Sequence, residues 1–165
     1  MKKFWFTVLM VTTAGFAAQA SDAVAVLKDA AGKQVGLVEF DESDQGVLVD
    51  MEVDGVAPGW HAIHVHEKDD CSGEGFKSAG GHAVGPQGHT HGFLSNHGRH
   101  AGDMPNVWAN EKGEGRAQAF LAGVKISDWL DEDGAAVILH AKQDDYSSQP
   151  SGNAGARVAC GSVIQ

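Results

Sequence analysis

Only two cysteines, Cys71 and Cys160, occur among 165 residues, and 12 lysines and arginines stand against 22 aspartates and glutamates. So few thiols argue against an iron–sulfur centre or a cysteine-type zinc site, which leaves nitrogen and oxygen as metal ligands. A formal charge of −10 argues against nucleic acid or an anionic membrane as partner, because both need clustered cations. After residue 16 no stretch is apolar enough to cross a bilayer.

The one long apolar run comes first. Lys2 and Lys3 precede a mostly apolar stretch at 4–16, and Ala18-Gln19-Ala20 has the small-x-small form that signal peptidase accepts. The segment 1–20 therefore reads as a secretory signal peptide, with 21–165 as the mature domain, bound for the periplasm. Losing the signal removes two lysines and no acids, so the formal charge moves from −10 to −12. In an oxidising compartment the two cysteines are expected to pair, closing a loop of about ninety residues.

Period-two alternation recurs between turn signals. Strands are expected over 23–27, 35–40, 47–53, 60–66, 107–110, 116–121, 135–140 and 156–160, with an acidic turn at 41–45. The clearest is the third, where Val47, Val49, Met51 and Val53 alternate with Leu48, Asp50 and Glu52. Between Glu67 and Pro105 the pattern lapses into a long Gly- and His-rich loop, and such loops are usually functional. No long helix and no internal repeat is evident. The class is all-β: a Greek-key β-sandwich or flattened barrel of about eight antiparallel strands with a long metal-binding loop.

Nine histidines are what the composition does supply, and most lie between His61 and His100. His64 and His66, two apart on a strand, leave the same face about 6–7 Å apart, close enough to share one metal. His61 falls on the opposite face and reads as a structural histidine. The loop adds His82, His89, His91, His97, His100 and Asp103, and His140 lies on a distant strand. Imidazole and carboxylate together suit zinc and copper. A loosely scavenging His-rich loop is the plain alternative, but it would need neither the strand-borne pair nor His140.

Taken in order, Gly59-Trp60-His61-Ala62-Ile63-His64-Val65-His66-Glu67, Asp70-Cys71, Ser78-Ala79-Gly80-Gly81-His82, His91-Gly92, His100-Ala101-Gly102-Asp103, His140, Asp144-Asp145-Tyr146 and Gly152-Asn153-Ala154-Gly155-Ala156-Arg157-Val158-Ala159-Cys160-Gly161 resemble the copper/zinc superoxide dismutases, and their bacterial secreted branch in particular. The resemblance covers essentially all of 21–165. It implies an oxidoreductase that dismutates superoxide, with copper on His64, His66, His82 and His140. It implies zinc on His82, His91, His100 and Asp103, with His82 bridging the two ions. By the same resemblance Asp144 orients a histidine of each site, and Arg157 guides the anionic substrate. Three features depart from the family pattern: Ala62-Ile63 before the first copper histidine, Ala83-Val84-Gly85-Pro86 after His82, and the extra histidines His89 and His97. His91 is preferred as zinc ligand by its spacing from His100, with His89 as its rival.

An acidic enzyme with an anionic substrate needs a locally positive cleft. Arg157 supplies part of it, Lys68 and Lys77 are expected to contribute, and the acids at 41–44 and 128–133 are expected to lie elsewhere. The competing reading is a periplasmic copper/zinc carrier on the same fold, without dismutase activity. Monomer and homodimer are both open from sequence.

Overall fold

The computed structural model describes residues 20–86 and 90–165. The expected signal segment, apart from Ala20, and His89 lie outside the described residues. Among the described residues nine strands form: β1 (Ala23–Asp29), β2 (Gln34–Ser43), β3 (Gly46–Val53), β4 (Gly59–His61), β5 (Ile63–His66), β6 (Val107–Ala109), β7 (Gly115–Ala122), β8 (Ala136–His140) and β9 (Arg157–Ile164). Seven make a curled antiparallel sheet in the order β5-β8-β9-β1-β2-β3-β7, while β4 and β6 form a small second sheet. Because β4 runs on into β5 and β6 turns into β7, the small sheet joins the two edges of the large one. The result is the expected all-β barrel-like architecture.

Alternation explains the packing. In β3, Val47, Val49, Met51 and Val53 are buried in the main core with Leu27, Val38 and Phe40, while Asp50 and Glu52 face outward. β5 and β8 break the one-sided rule, since all their residues are buried. Ile63, Val65, Val137 and Leu139 enter the barrel core. On the opposite face Ala136 and Ile138 join Phe76, Ala79 and Cys160 in a second apolar cluster. His64 pairs with Ile138 and His66 with Ala136, so both histidines stand on that second face. A strand buried on both sides is where a loop has folded over the sheet.

Several boundaries differ from the sequence reading, including β9, which runs to Ile164 where the reading ended at 160, and two of the differences have a clear cause. The acidic stretch at 41–45 is mostly strand: β2 continues to Ser43, and Asp41, Glu42 and Ser43 pair with Leu48, Val47 and Gly46. Ladder bonds to β3 outweigh the weak strand preference of acidic residues there. The single strand expected over 60–66 is interrupted at Ala62. Its N–H donates to the Lys142 carbonyl and its carbonyl accepts from the His140 N–H, both at 2.8 Å, so the chain changes partner from β6 to β8 at that point.

The disulfide forms as expected, joining Cys71 to Cys160 across 89 positions. It ties the segment after β5 to β9, three residues beyond Arg157. Replacing both cysteines by serine is expected to lower the unfolding free energy by about 3–5 kcal/mol, read from urea midpoints under non-reducing conditions. A loss below about 1 kcal/mol would mean that the second apolar cluster holds this loop unaided.

Candidate metal centre

β5 supplies the frame of the site through both of its edges. One edge pairs with β8. The other takes main-chain bonds from two loop segments: Val65 N–H to Gly102 O, Ala83 N–H to Val65 O and Glu67 N–H to Gly81 O, at 2.9–3.0 Å. These bonds bring His82 opposite His66 and Asp103 opposite His64. Gly102 permits the approach, because a Cβ there would overlap the Val65 carbonyl. An irregular loop thus borrows the rigidity of a central strand.

Four histidines converge on the outer face of β5 and β8. One ligand nitrogen from each of His64, His66, His82 and His140 lies within 4.8 Å of the others, and all four residues are buried. Each ring has one nitrogen engaged by the protein. His64 Nε2 meets Asp144 at 2.9 Å, His66 Nδ1 donates to Gly80 O at 3.0 Å, His82 Nδ1 meets Asp103 at 2.9 Å, and His140 Nδ1 lies 3.4 Å from Gly155 O. The other four nitrogens, His64 Nδ1 and Nε2 of His66, His82 and His140, are buried without a hydrogen-bond partner among the described residues. Leaving a buried polar atom unpaired costs about 1–3 kcal/mol, so four of them aimed together fit a cation that accepts their lone pairs.

Asp103 organises the neighbouring group. Its Oδ1 lies 2.9 Å from Nδ1 of both His82 and His91 and 3.6 Å from Nδ1 of His100, while Oδ2 accepts from the N–H groups of Gly92 and His100. His64, His82, His91 and Asp103 form the second tight set of candidate ligand atoms. His100 stands just outside that set, although its Nδ1 is buried and has no hydrogen bond among the described residues. Asp144 joins the two groups, with Oδ2 on His64 Nε2 and Oδ1 on His91 Nε2 at 3.0 Å. Gly152 is packed so closely behind Asp144 that any Cβ would displace the carboxylate, and its φ of 62° suits glycine.

The electrostatics follow from burial. Desolvation, with neighbouring imidazoles adding repulsion, lowers His82 to about 4 and His140 to about 3, so both rings stay neutral and able to ligate. Burial also opposes charge on His91, but the bonds to Asp103 and Asp144 outweigh it and raise His91 to about 9. Burial likewise works against the Asp103 anion, yet the histidine and Gly92 donors hold its carboxyl well below the usual range.

Other expected residues fall as follows. His61 is buried on the opposite side, its ring nitrogens 2.7 and 2.6 Å from the carbonyls of His140 and Ala57, as a structural histidine should be. His97 is exposed and in neither group. Arg157 donates to the carbonyls of Phe76 and Gly80. The Gly80 oxygen therefore serves both Arg157 and His66. Sequence reasoning missed Asn106, whose side chain bonds both main-chain groups of Asp144 at 2.8 and 3.0 Å. It also missed Arg99, which donates to the His100 carbonyl at 3.0 Å and stacks on Phe93. Bonds to main-chain groups leave no spacing signature, although the position of Arg99 beside His100 was a local clue.

Lysine and acid placement corrects one expectation. Asp133 is not remote: it pairs with Lys68 at 3.1 Å, two residues beyond His66. The Lys68 charge is therefore partly offset where it was expected to attract substrate.

A pH prediction follows for the metal-free protein. Histidines lowered on folding leave the unfolded chain binding more protons, so their contribution is full above about 6.5 and lost as pH falls through their folded values. His91, raised on folding, acts oppositely: its contribution is full below about 6.5 and fades as pH rises through about 9. The urea midpoint of the metal-free protein should therefore peak between about 6 and 7 and fall on both sides. A midpoint flat between about pH 4 and 9 would refute the buried, neutral state of His82 and His140.

The family model for copper/zinc superoxide dismutase matches residues 34–163. A copper/zinc superoxide dismutase of Caulobacter vibrioides is 42% identical, over 86% of this chain and 84% of that protein. One from Aquifex aeolicus is 38% identical, over 94% and 93%. The crystal structure of a double mutant of a superoxide dismutase-like protein from Bacillus subtilis superposes with a TM-score of 0.77 at 38% identity, covering 86% of this chain and 97% of that one. With two histidine groups converging on β5 and matches spanning most of its length, this chain belongs to the copper/zinc superoxide dismutase family.

Proposed function

We propose that the protein removes superoxide outside the cytoplasm, holding copper on His64, His66, His82 and His140 and zinc on His82, His91, His100 and Asp103. Two superoxide ions and two protons become one dioxygen and one hydrogen peroxide. The observation that carries this reading is the convergence, beside an arginine, of four imidazole nitrogens that have no hydrogen-bond partner among the described residues. Bound copper supplies the reversible one-electron step, and zinc adds positive charge that favours loss of the second His82 proton.

The protein residues do the rest. Arg157 is held by two carbonyls and keeps further N–H donors for a small anion, which it attracts and orients. His82 turns Nδ1 toward Asp103 and Nε2 toward the four-histidine group, so one ring would be able to serve both ions. With copper bound, Nε2 of His82 would be the atom able to hold a proton and give it to peroxide. Asp144 keeps His64 and His91 in register by holding the far nitrogen of each. Export through the segment 1–20 is supported by the disulfide, which persists where thiols are oxidised.

Steering by charge falls mainly to Arg157 and Lys77. Lys77 lies on the 3-10 turn Glu74–Ala79, next to the Phe76 carbonyl that holds Arg157. Lys68 is tied to Asp133 and contributes less.

Superoxide removal by protein loaded with copper and zinc is the direct test. Activity should require copper, and Arg157→Ala should lower it about tenfold with metal content unchanged. A protein that binds both metals yet stays inactive would be a carrier instead. Lys77→Gln should reduce the rate about twofold at low salt and flatten its ionic-strength dependence, with Lys68→Gln having a smaller effect. Equal effects of the two lysines would remove the role assigned to the Lys68–Asp133 pair.

A further inference from the structure

Most of the residues that face the two ions have their main chain fixed by strand pairing. His64, His66 and His140 lie on β5 and β8, and His82 and Asp103 are bridged to β5. His91 is on no strand. Its main chain is gripped instead by one side chain, 58 positions away. Gln149 Oε1 accepts from the His91 N–H at 2.9 Å, and Gln149 Nε2 donates to the His91 carbonyl at 2.9 Å. The same Nε2 reaches the Ser147 carbonyl at 3.1 Å, which keeps the carboxamide in place.

A planar amide bonded to both main-chain groups of one residue reproduces what a neighbouring strand would provide. It fixes the His91 backbone, and the two carboxylates then fix the ring, Asp103 at Nδ1 and Asp144 at Nε2. Gln149 is itself exposed, so it adds little to the core. We propose that Gln149 is a positioning residue of the zinc centre, holding the His91 main chain so that Nδ1 faces the ion beside Asp103. This rests on His91 being a ligand of that ion, and the test separates the two claims.

Cobalt(II) is the probe, since its visible bands report ligand geometry. Metal-free wild-type protein, Gln149→Ala, Gln149→Glu and His91→Ala would be titrated with cobalt(II), and melting of each metal-free protein measured alongside. The Kd of Gln149→Ala should rise about tenfold, the low end for groups that orient metal-bound histidines, with altered band intensities and near-wild-type melting. Gln149→Glu should bind no better than Gln149→Ala, because its second oxygen opposes the His91 carbonyl. The copper EPR spectrum of Gln149→Ala should match the wild type. Wild-type cobalt affinity and bands in Gln149→Ala, while His91→Ala loses both, would overturn the positioning role alone. Wild-type binding by His91→Ala would remove the ligand assignment and this inference with it.

Discussion

A single buried carboxylate sets the terms for the metal centre. Asp103 is fully inaccessible, and an isolated anion there would be strongly disfavoured by desolvation. It is tolerated because donors surround it: the rings of His82 and His91, with His100 slightly farther off, and the N–H groups of Gly92 and His100. Each requirement of the anion is a constraint on a loop residue. Satisfying Asp103 fixes which nitrogen of His82 turns inward, and hence which nitrogen is left for the four-histidine group. Asp144 repeats the device from the other side and in turn depends on Asn106 and on the absence of a side chain at Gly152.

The barrel contributes rigidity where loops have little. β5 is a four-residue strand, yet both of its edges are occupied: the Val65 N–H and carbonyl are taken by residues 102 and 83, and the opposite edge pairs with β8. That pairing turns an irregular segment into an extension of the sheet. The disulfide and the Phe76–Ala79 cluster then hold the segment after β5 against β9, so the carbonyls that receive Arg157 are presented by a packed surface. Ligands carried on such a packed frame are preorganised for binding.

Net charge and local charge part company here. The chain carries an excess of acids, but the centre gathers histidines, an arginine and the sites for two cations into one small volume. Asp133 is partly offset by Lys68, and elsewhere the Glu42 carboxylate is engaged with the 3-10 turn Ile126–Asp128 and its flanking Lys125. What a small anion meets is the field at the cleft and not the sum over the surface.

Several features were legible in the sequence because they are periodic or chemically unusual. The alternation in β3 placed Val47, Val49, Met51 and Val53 in the core, and His64-x-His66 put two imidazoles on one face of a strand. Two cysteines behind a segment that reads as a secretory signal implied one disulfide. The ligand order came from a resemblance along the chain, and the geometry brought the four copper candidates together. Other features were decided only by tertiary contact. The extension of β2 to Ser43 depends on β3, and the break at Ala62 depends on β8. The pairing of Lys68 with Asp133 joins segments 65 positions apart. Asn106, Gln149 and the Gly80 carbonyl act through main-chain groups that every residue possesses. Residue type and period therefore determined which chemistry the chain carries, whereas long-range main-chain bonding decided how it is aimed, because a carbonyl acquires its role only from where the fold places it.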